Sequence, residues 1–133
     1  MRLLVSGGRK YMDYDKILSA LVELGGKEGI EVLIHGAARG ADSLAKKAAK
    51  VLGIPNLPFP VTDEDWRLYG KFAGPMRNQK MLDEGHPDFL IAFPDSDSRG
   101  TWDMIYRAKA AGLKLRVYSG ENVFTEADIH GKR

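Results

Sequence analysis

Residues 31–53, EVLIHGAARGADSLAKKAAKVLG, contain a complete strand–loop–helix unit. Residues 31–35 form an apolar run that is typical of a buried strand, and this run leads directly into a glycine-bearing loop. From about residue 40 to residue 52, alanines and leucines recur at helical spacing while the lysines fall on the opposite face. Gly53 follows at the position where glycine commonly ends a helix. The segment therefore predicts one unit of a parallel sheet, in which a strand is followed by a helix that packs back onto it.

The same alternation continues on both sides of this segment. The sequence predicts further strands over residues 2–5, 54–60, 88–93 and 113–118, and helices over residues 15–24, 75–84 and about 101–111, with a short helix after residue 62. Strands that alternate with helices indicate a parallel sheet covered on both faces. We therefore expect an α/β fold, a Rossmann-like three-layer α/β/α sandwich with a mainly parallel sheet of about five strands.

Length and composition limit the classes of protein that need to be considered. The 133 residues suit one domain, expected over residues 1–120, followed by a polar tail over residues 121–133 that frays. The net charge of +2 is small for a protein that wraps a polyanion. No cysteine is present and the three histidines lack metal-ligand spacing, so neither a metal nor a cofactor is expected. The first apolar run is too short for a signal peptide or a membrane span, so we expect a cytoplasmic protein without a membrane partner.

Three glycine-bearing loops follow predicted strands and precede predicted helices. The carboxyl ends of parallel strands meet at one edge of the sheet, where ligands bind. Free N–H groups at the start of a helix favour an anion, glycine permits close approach, and arginine can hold phosphate oxygens in a bidentate manner. We therefore expect a phosphate-bearing nucleotide or nucleotide derivative to bind these loops. The predicted ligand-binding residues are Ser6, Gly7, Gly8 and Arg9 in the first loop, Gly36, Arg39, Gly40 and Asp42 in the second, and Arg99, Gly100 and Thr101 in the third.

Other residues near this edge are weaker candidates. Arg77 and Asn78 come near the start of a predicted helix, so they are added to the binding residues. Trp66 and Tyr69 either stack on a base or pack a short helix onto the body. His35 ends a buried strand, where a structural role is expected rather than that of a base or a switch. None of the loops is a Walker motif or a G-x-G-x-x-G sequence.

Three stretches carry a resemblance to a known family: residues 35–45 (HGAARGADSLA), 66–82 (WRLYGKFAGPMRNQKML) and 93–104 (FPDSDSRGTWDM). Together they closely resemble the YspA/YpsA-related branch of the SLOG superfamily, which occurs in bacteria and phages. The wider superfamily includes the LOG-type phosphoribohydrolases, the Rossmann core of the DNA-processing protein DprA, and sensor domains for second messengers derived from NAD. The resemblance implies a Rossmann-like fold and a nucleotide-related ligand, without implying one reaction.

The LOG enzymes carry an R-K-x-x-M element and a P-G-G-x-G-T-x-x-E element. Residues 77–81 (RNQKM) match the Arg and Met of the first, and residues 94–101 match part of the second. Met104 stands where the enzymes have their glutamate, and Asp103 is the nearest carboxylate. Cleavage of an N-glycosidic bond needs a carboxylate to stabilise the oxocarbenium-like centre or to activate water. The catalytic candidates are therefore Asp103 and Arg77, with Asp42 or Asp97 as alternatives to Asp103.

These features leave three functional hypotheses open. The first is a sensor or scavenger that binds a nucleotide or an ADP-ribose-like ligand, which the missing glutamate favours. The second is an N-glycosidic hydrolase acting on nucleoside monophosphates or related nucleotides. The third is binding of single-stranded DNA, which the small net charge argues against, so nucleic acid is not expected as a partner. Because relatives in the superfamily are often dimeric, a homodimer or larger homo-oligomer is expected, with Trp102 and Tyr106 as possible contributors.

Overall fold

The computed structural model describes residues 1–130 and contains one six-stranded sheet. The strands are β1 (Arg2–Gly7), β2 (Val32–His35), β3 (Asn56–Pro58), β4 (Phe89–Phe93), β5 (Lys114–Ser119) and β6 (Asn122–Thr125). They lie in the order β3-β2-β1-β4-β5-β6, and all neighbours are parallel except β5 and β6. The predicted Rossmann-like, mainly parallel α/β fold is confirmed.

Helices cover both faces of this sheet. They are α1 (Tyr14–Glu23), α2 (Gly26–Gly29), α3 (Ala41–Leu52), α4 (Asp63–Tyr69), α5 (Ala73–Gly85) and α6 (Arg99–Ala110), with single 3₁₀ turns at Gly70–Phe72 and Glu126–Asp128. Successive side chains of a strand point to opposite faces. Accordingly Leu3 and Val5 of β1 pack with α1 and α3, whereas Leu4 packs with α5 and α6. Both faces of the central strands are therefore buried, as the continuous apolar runs predicted.

Local caps fix several helix ends. The Asp13 carboxylate accepts a 3.1 Å hydrogen bond from the Lys16 amide and caps α1. Thr62 and Asp65 form a reciprocal capping box at the start of α4. Gly53 ends α3 with a left-handed φ of 75°. Several boundaries differ: α5 begins at Ala73 rather than Pro75, α6 begins at Arg99 rather than about residue 101, and β3 covers Asn56–Pro58 rather than residues 54–60. A proline fits in the first turn of α5, where the N–H groups have no helical partner.

The segment after Tyr118 differs from the polar, fraying tail that we expected. Gly120, which has a φ of 62°, forms a two-residue turn with Glu121. This turn connects β5 to β6, and the two strands pair in antiparallel orientation. Ile129 is then buried against the cluster beneath α6, and Lys109 donates to the carbonyl oxygens of Glu126 and Ile129. A strand this short, with its side chains exposed, has no apolar alternation to reveal it. Residues 131–133, the end of the expected tail, lie outside the described residues.

None of the helices within residues 1–130 has the length and apolar character needed to cross a membrane.

Candidate functional site

The carboxyl ends of β1, β2 and β4 surround a cavity of about 240 Å³. The strand order reverses between β1 and β4, which is the usual position of a ligand site in a doubly wound sheet. Ten of the predicted site residues line this cavity: Ser6, Gly7, Gly8, Arg9, Asp42, Arg77, Asn78, Arg99, Gly100 and Thr101. Ala38, Met81, Asp97 and Ser98 complete the lining. The three loops and the start of α5 therefore meet at one place.

Two of the predicted glycines, Gly36 and Gly40, lie beside the cavity and do not line it. Gly40 has a φ of 75°, and a Cβ there would lie 2.2 Å from the Gly8 carbonyl oxygen. That same oxygen accepts a 3.1 Å hydrogen bond from the Ala41 amide, so the first two loops are locked together. Gly36 is packed in a similar way against Arg77, whose Nη1 would lie 2.4 Å from an added Cβ. Backbone atoms and the positive φ require glycine at Gly40, whereas a Cβ at Gly36 would displace the guanidinium end of Arg77.

Arg39 is exposed and does not line the cavity. Its predicted contact with the ligand therefore has no geometric support.

Arg77 forms part of the floor of the cavity. Its Nη1 donates to the carbonyl oxygens of Gly36 at 2.6 Å and Phe59 at 3.3 Å, and its Nε donates to the Asn78 side chain at 3.2 Å. Burial lowers the pKa of Arg77, while the nearby Asp42 carboxylate raises it. A guanidinium remains charged under these conditions because its ordinary pKa is so high. The result is a positive charge held in a fixed position at the cavity.

Asp42 is the most buried ionisable side chain in the lining, with 5% of its surface exposed. Its Oδ2 accepts from the amides of Gly36 at 3.0 Å and Ala38 at 3.3 Å, which closes the second loop. Its Oδ1 is buried and has no hydrogen-bond partner within residues 1–130. Burial raises the pKa of Asp42 from 3.8 to about 6, although the Ala38 amide and Arg77 oppose this. The cavity therefore contains a carboxyl group that can carry a proton near neutral pH.

Asp95 organises the third loop, although it is not among the site residues predicted from the sequence. Its Oδ1 accepts from the Asp97 amide and the Ser98 hydroxyl, both at 2.9 Å, and its Oδ2 accepts from the Lys10 amide at 2.9 Å. A Cβ on Gly8 would lie 1.8 Å from Oδ2, which explains the glycine there. An aspartate two residues after a strand, with serine three residues later, is the signal that could have identified this turn.

The start of α6 is left open by this arrangement. Ser98 is the N-cap residue, but its hydroxyl bonds to Asp95 and makes no capping hydrogen bond to α6. The first N–H groups of an α-helix have no helical acceptor. Here they belong to Arg99, Gly100 and Thr101, which line the cavity. The arrangement provides donors and a positive dipole end for an anion.

Asp103, the first catalytic candidate, does not line the cavity. Its Oδ2 accepts from Asn78 Nδ2 at 3.0 Å and from Arg107 Nε at 2.8 Å. Asn78 Nδ2 also donates to the Gly100 carbonyl oxygen at 3.1 Å, so this group braces α5 against α6. The catalytic role of Asp103 stays a prediction that its position does not favour.

His35 is 1% exposed, and its Nδ1 accepts a 3.0 Å hydrogen bond from the Ala37 amide. Burial, together with the charges of Lys46 and Arg77, lowers the pKa of His35 to about 4. The ring is therefore neutral at pH 7, and it supports the turn that begins the second loop. This position agrees with a structural role.

A second concavity, which we call the groove, lies between the β3 end of the sheet and helices α4 and α5. Its volume is about 1030 Å³, and its walls include Phe59, Tyr69 and Met76. Arg77 lines both the groove and the cavity. Across residues 1–130, no cluster of three or more His, Asp or Glu side chains could hold a metal ion.

Fold and cavity together define a Rossmann-like domain with a cavity at the switch point of its sheet. The chain belongs to the YspA, cpYpsA-related SLOG family, whose sequence model matches residues 1–69. It is similar to the Gene 61 protein of Mycobacterium phage D29, with 38% identity over 119 residues that cover 86% of this chain and 93% of that protein.

A solved structure shares the fold. The X-ray structure of DNA processing protein A (DprA) from Streptococcus pneumoniae matches with a TM-score of 0.70 and 21% sequence identity. The match covers 90% of this chain but 50% of the DprA chain, so this protein spans about half the length of DprA.

Proposed function

We propose that this protein binds a phosphate-bearing nucleotide or nucleotide-derived ligand, such as one resembling ADP-ribose, and acts as a sensor or scavenger of it. The observation that carries the proposal is the open start of α6, where Arg99, Gly100 and Thr101 face the same cavity as Arg77. Backbone donors at a helix start and a fixed guanidinium form a common binding arrangement for phosphate oxygens.

The charges of the lining support an anionic ligand. Three arginines, Arg9, Arg77 and Arg99, face two aspartates, Asp42 and Asp97, which leaves an excess of one positive charge. Because the pKa of Asp42 is raised to about 6, this carboxylate begins to take up a proton as the pH falls towards 6, and the positive excess increases. Because the chain as a whole has a net charge of only +2, the site offers local rather than global attraction.

A ligand screen tests the proposal directly. Mononucleotides, dinucleotides, ADP-ribose and its cyclic forms are added separately, and the melting temperature is measured. A ligand that binds only the folded state raises the melting temperature, and the increase grows with the ratio of the ligand concentration to its Kd. If none of these compounds shifts the melting temperature and none binds in calorimetry, the proposal is wrong.

Binding of single-stranded DNA is the second candidate, and the match to DprA is the observation that favours it. The expectation that nucleic acid is not a partner gains no support from that match. Exposed aromatic and basic side chains occur together on α4 and the following turn, including Trp66, Arg67 and Lys71. An oligonucleotide affinity that falls steeply between low and moderate salt would favour this candidate over a small ligand.

The enzymatic alternative is hydrolysis of an N-glycosidic bond, and the observation that favours it is the placement of Asp42. A buried carboxyl group with a pKa near 6 is suited to donate or accept a proton near neutral pH. Asp103 has no comparable access to the cavity. Incubation with nucleoside monophosphates followed by chromatography would detect the free base, and Asp42→Asn should abolish its release.

A further inference from the structure

We propose that the groove binds the heterocyclic base of the same ligand whose phosphate lies in the cavity, so that the two ends of the ligand lie on opposite sides of Arg77. This inference rests on the proposed function and specifies the ligand class: a nucleotide with one base outside the cavity.

The cavity is too small to enclose a whole nucleotide. Its volume is about 240 Å³, whereas pockets that bury a complete small ligand usually measure roughly 300–1,000 Å³. The start of α6 and the guanidinium groups of Arg77 and Arg99 all line this small space, so the phosphate and the sugar of the ligand would fill it. The base must then extend beyond the cavity.

The groove is the adjacent concavity, and Arg77 connects the two. Its Nη1 donates to the Gly36 carbonyl in the second loop and to the Phe59 carbonyl in the groove wall. This shared side chain holds the wall of the groove at a fixed distance from the phosphate-binding donors. We therefore infer that a ligand contacting both places passes beside Arg77.

The walls of the groove suit a flat ring. Tyr69 and Met76 have 43% and 47% of their surfaces exposed, and Phe59 is partly buried beside them. Exposed aromatic and methionine side chains in a concavity lose contact with water when a ring stacks on them. Tyr69 stands at the end of α4, a helix whose start is fixed by its capping box.

The charges of the groove oppose a second phosphate. Asp65, Asp83 and Glu84 line it, against Lys80 and the shared Arg77. An acidic rim favours a neutral base with amino groups and disfavours a continuous phosphodiester chain. The groove therefore fits one nucleotide base better than successive nucleotides of single-stranded DNA.

Calorimetry with matched probes tests this inference. Inorganic phosphate, ribose 5-phosphate and the four common nucleoside monophosphates are titrated into the wild-type protein. The tightest of the four nucleotides should bind about 10-fold more tightly than ribose 5-phosphate, since stacking on an aromatic side chain contributes on that order. Tyr69→Ala should remove this advantage without changing the affinity for ribose 5-phosphate.

Two further variants make the test specific. Met76→Ala changes the opposite part of the groove wall and should reduce the same advantage, even if Tyr69→Ala folds poorly. Leu68→Ala is the matched control, because Leu68 lies on the same helix, is 54% exposed and lines neither concavity. It should leave both affinities unchanged.

The outcomes separate this inference from the proposed function. Equal affinities of wild-type protein for ribose 5-phosphate and for every nucleoside monophosphate would overturn the base site and leave the phosphate site standing. The base site would also be overturned if Tyr69→Ala and Met76→Ala weakened the binding of ribose 5-phosphate as much as the binding of nucleoside monophosphates. Failure of every probe to bind would overturn the proposed function itself.

Discussion

Arg77 Nη1 donates a 2.6 Å hydrogen bond to the carbonyl oxygen of Gly36, although 41 positions separate the two residues in the chain. This contact joins helix α5 to the loop after β2 and leaves no room for a side chain at Gly36. The guanidinium can approach the backbone this closely only because the second loop carries glycine there. The position of the fixed positive charge therefore depends on a residue that does not line the cavity.

Gly36→Ala should displace Arg77 and weaken ligand binding. An added Cβ would lie 2.4 Å from Nη1, and relief of such a clash typically costs about 1–3 kcal/mol. Urea unfolding should show the loss of stability, and calorimetry the loss of affinity. Gly74→Ala is the matched control, because nothing lies within 4 Å of its added Cβ, and it should stabilise α5 by about 0.5–1 kcal/mol. Equal effects of both variants would contradict the prediction.

Arg99→Ala should weaken binding of a phosphate ligand by about 2 kcal/mol, because a charge-assisted contact is lost. Arg99 is exposed at the open start of α6, so the melting temperature of the unliganded protein should change little. Arg39→Ala removes an equally exposed arginine that does not line the cavity, and its affinity should equal that of the wild type. An affinity loss in Arg39→Ala as large as in Arg99→Ala would refute this placement.

Asp42 and His35 should make opposite contributions to stability between pH 4 and pH 6.5. The pKa of Asp42 is raised from 3.8 to about 6, so its contribution is fully present below the lower value and is lost as the pH rises through about 6. The pKa of His35 is lowered from 6.5 to about 4, so its contribution is present above pH 6.5 and is lost as the pH falls towards 4. In the wild type the two dependences largely cancel.

Asp42→Asn should expose the contribution of His35. The free energy of unfolding of this variant should fall more steeply on acidification from pH 6.5 to pH 4 than that of the wild type. Chemical denaturation at several pH values measures both curves. A variant whose curve stays parallel to the wild-type curve would show that Asp42 has an ordinary pKa.

Asp103→Asn should leave ligand affinity within about 0.5 kcal/mol of the wild type, because the partly exposed pair with Arg107 lies outside the cavity. Any base-releasing activity should likewise persist in this variant and disappear in Asp42→Asn. Calorimetry and chromatography on both variants provide the comparison. The reverse pattern would restore Asp103 as the catalytic carboxylate.

Ile129→Ala should lower the free energy of unfolding by about 2 kcal/mol, since its side chain is 7% exposed and packs against the cluster beneath α6. Val123→Ala, at a position that is 52% exposed on β6, should change it by no more than about 0.5 kcal/mol. Urea unfolding measures both. If Ile129→Ala lowers the free energy of unfolding no more than Val123→Ala does, the segment after Gly120 contributes little to the stability of the fold.

Much of the architecture was accessible from the sequence, and the reason is periodicity. Buried parallel strands are continuous apolar runs, and amphipathic helices repeat every three or four residues, so residues 31–53 alone defined one βα unit. Because parallel strands end at a common edge, the three glycine-bearing loops were bound to come together. The hairpin to β6 escaped detection because its side chains are all exposed and follow no such period.

Which carboxylate faces the cavity was decided only by the tertiary structure. Asp42 and Asp103 are both carboxylates near a helix start, yet the packing of α3 buries Asp42 in the cavity wall, whereas α6 turns Asp103 towards Asn78 and Arg107. The sequence determined which loops meet and which residue types they bring. The direction of each side chain depends on how its helix is rotated against the sheet, and that rotation is set by core contacts between residues far apart in the chain.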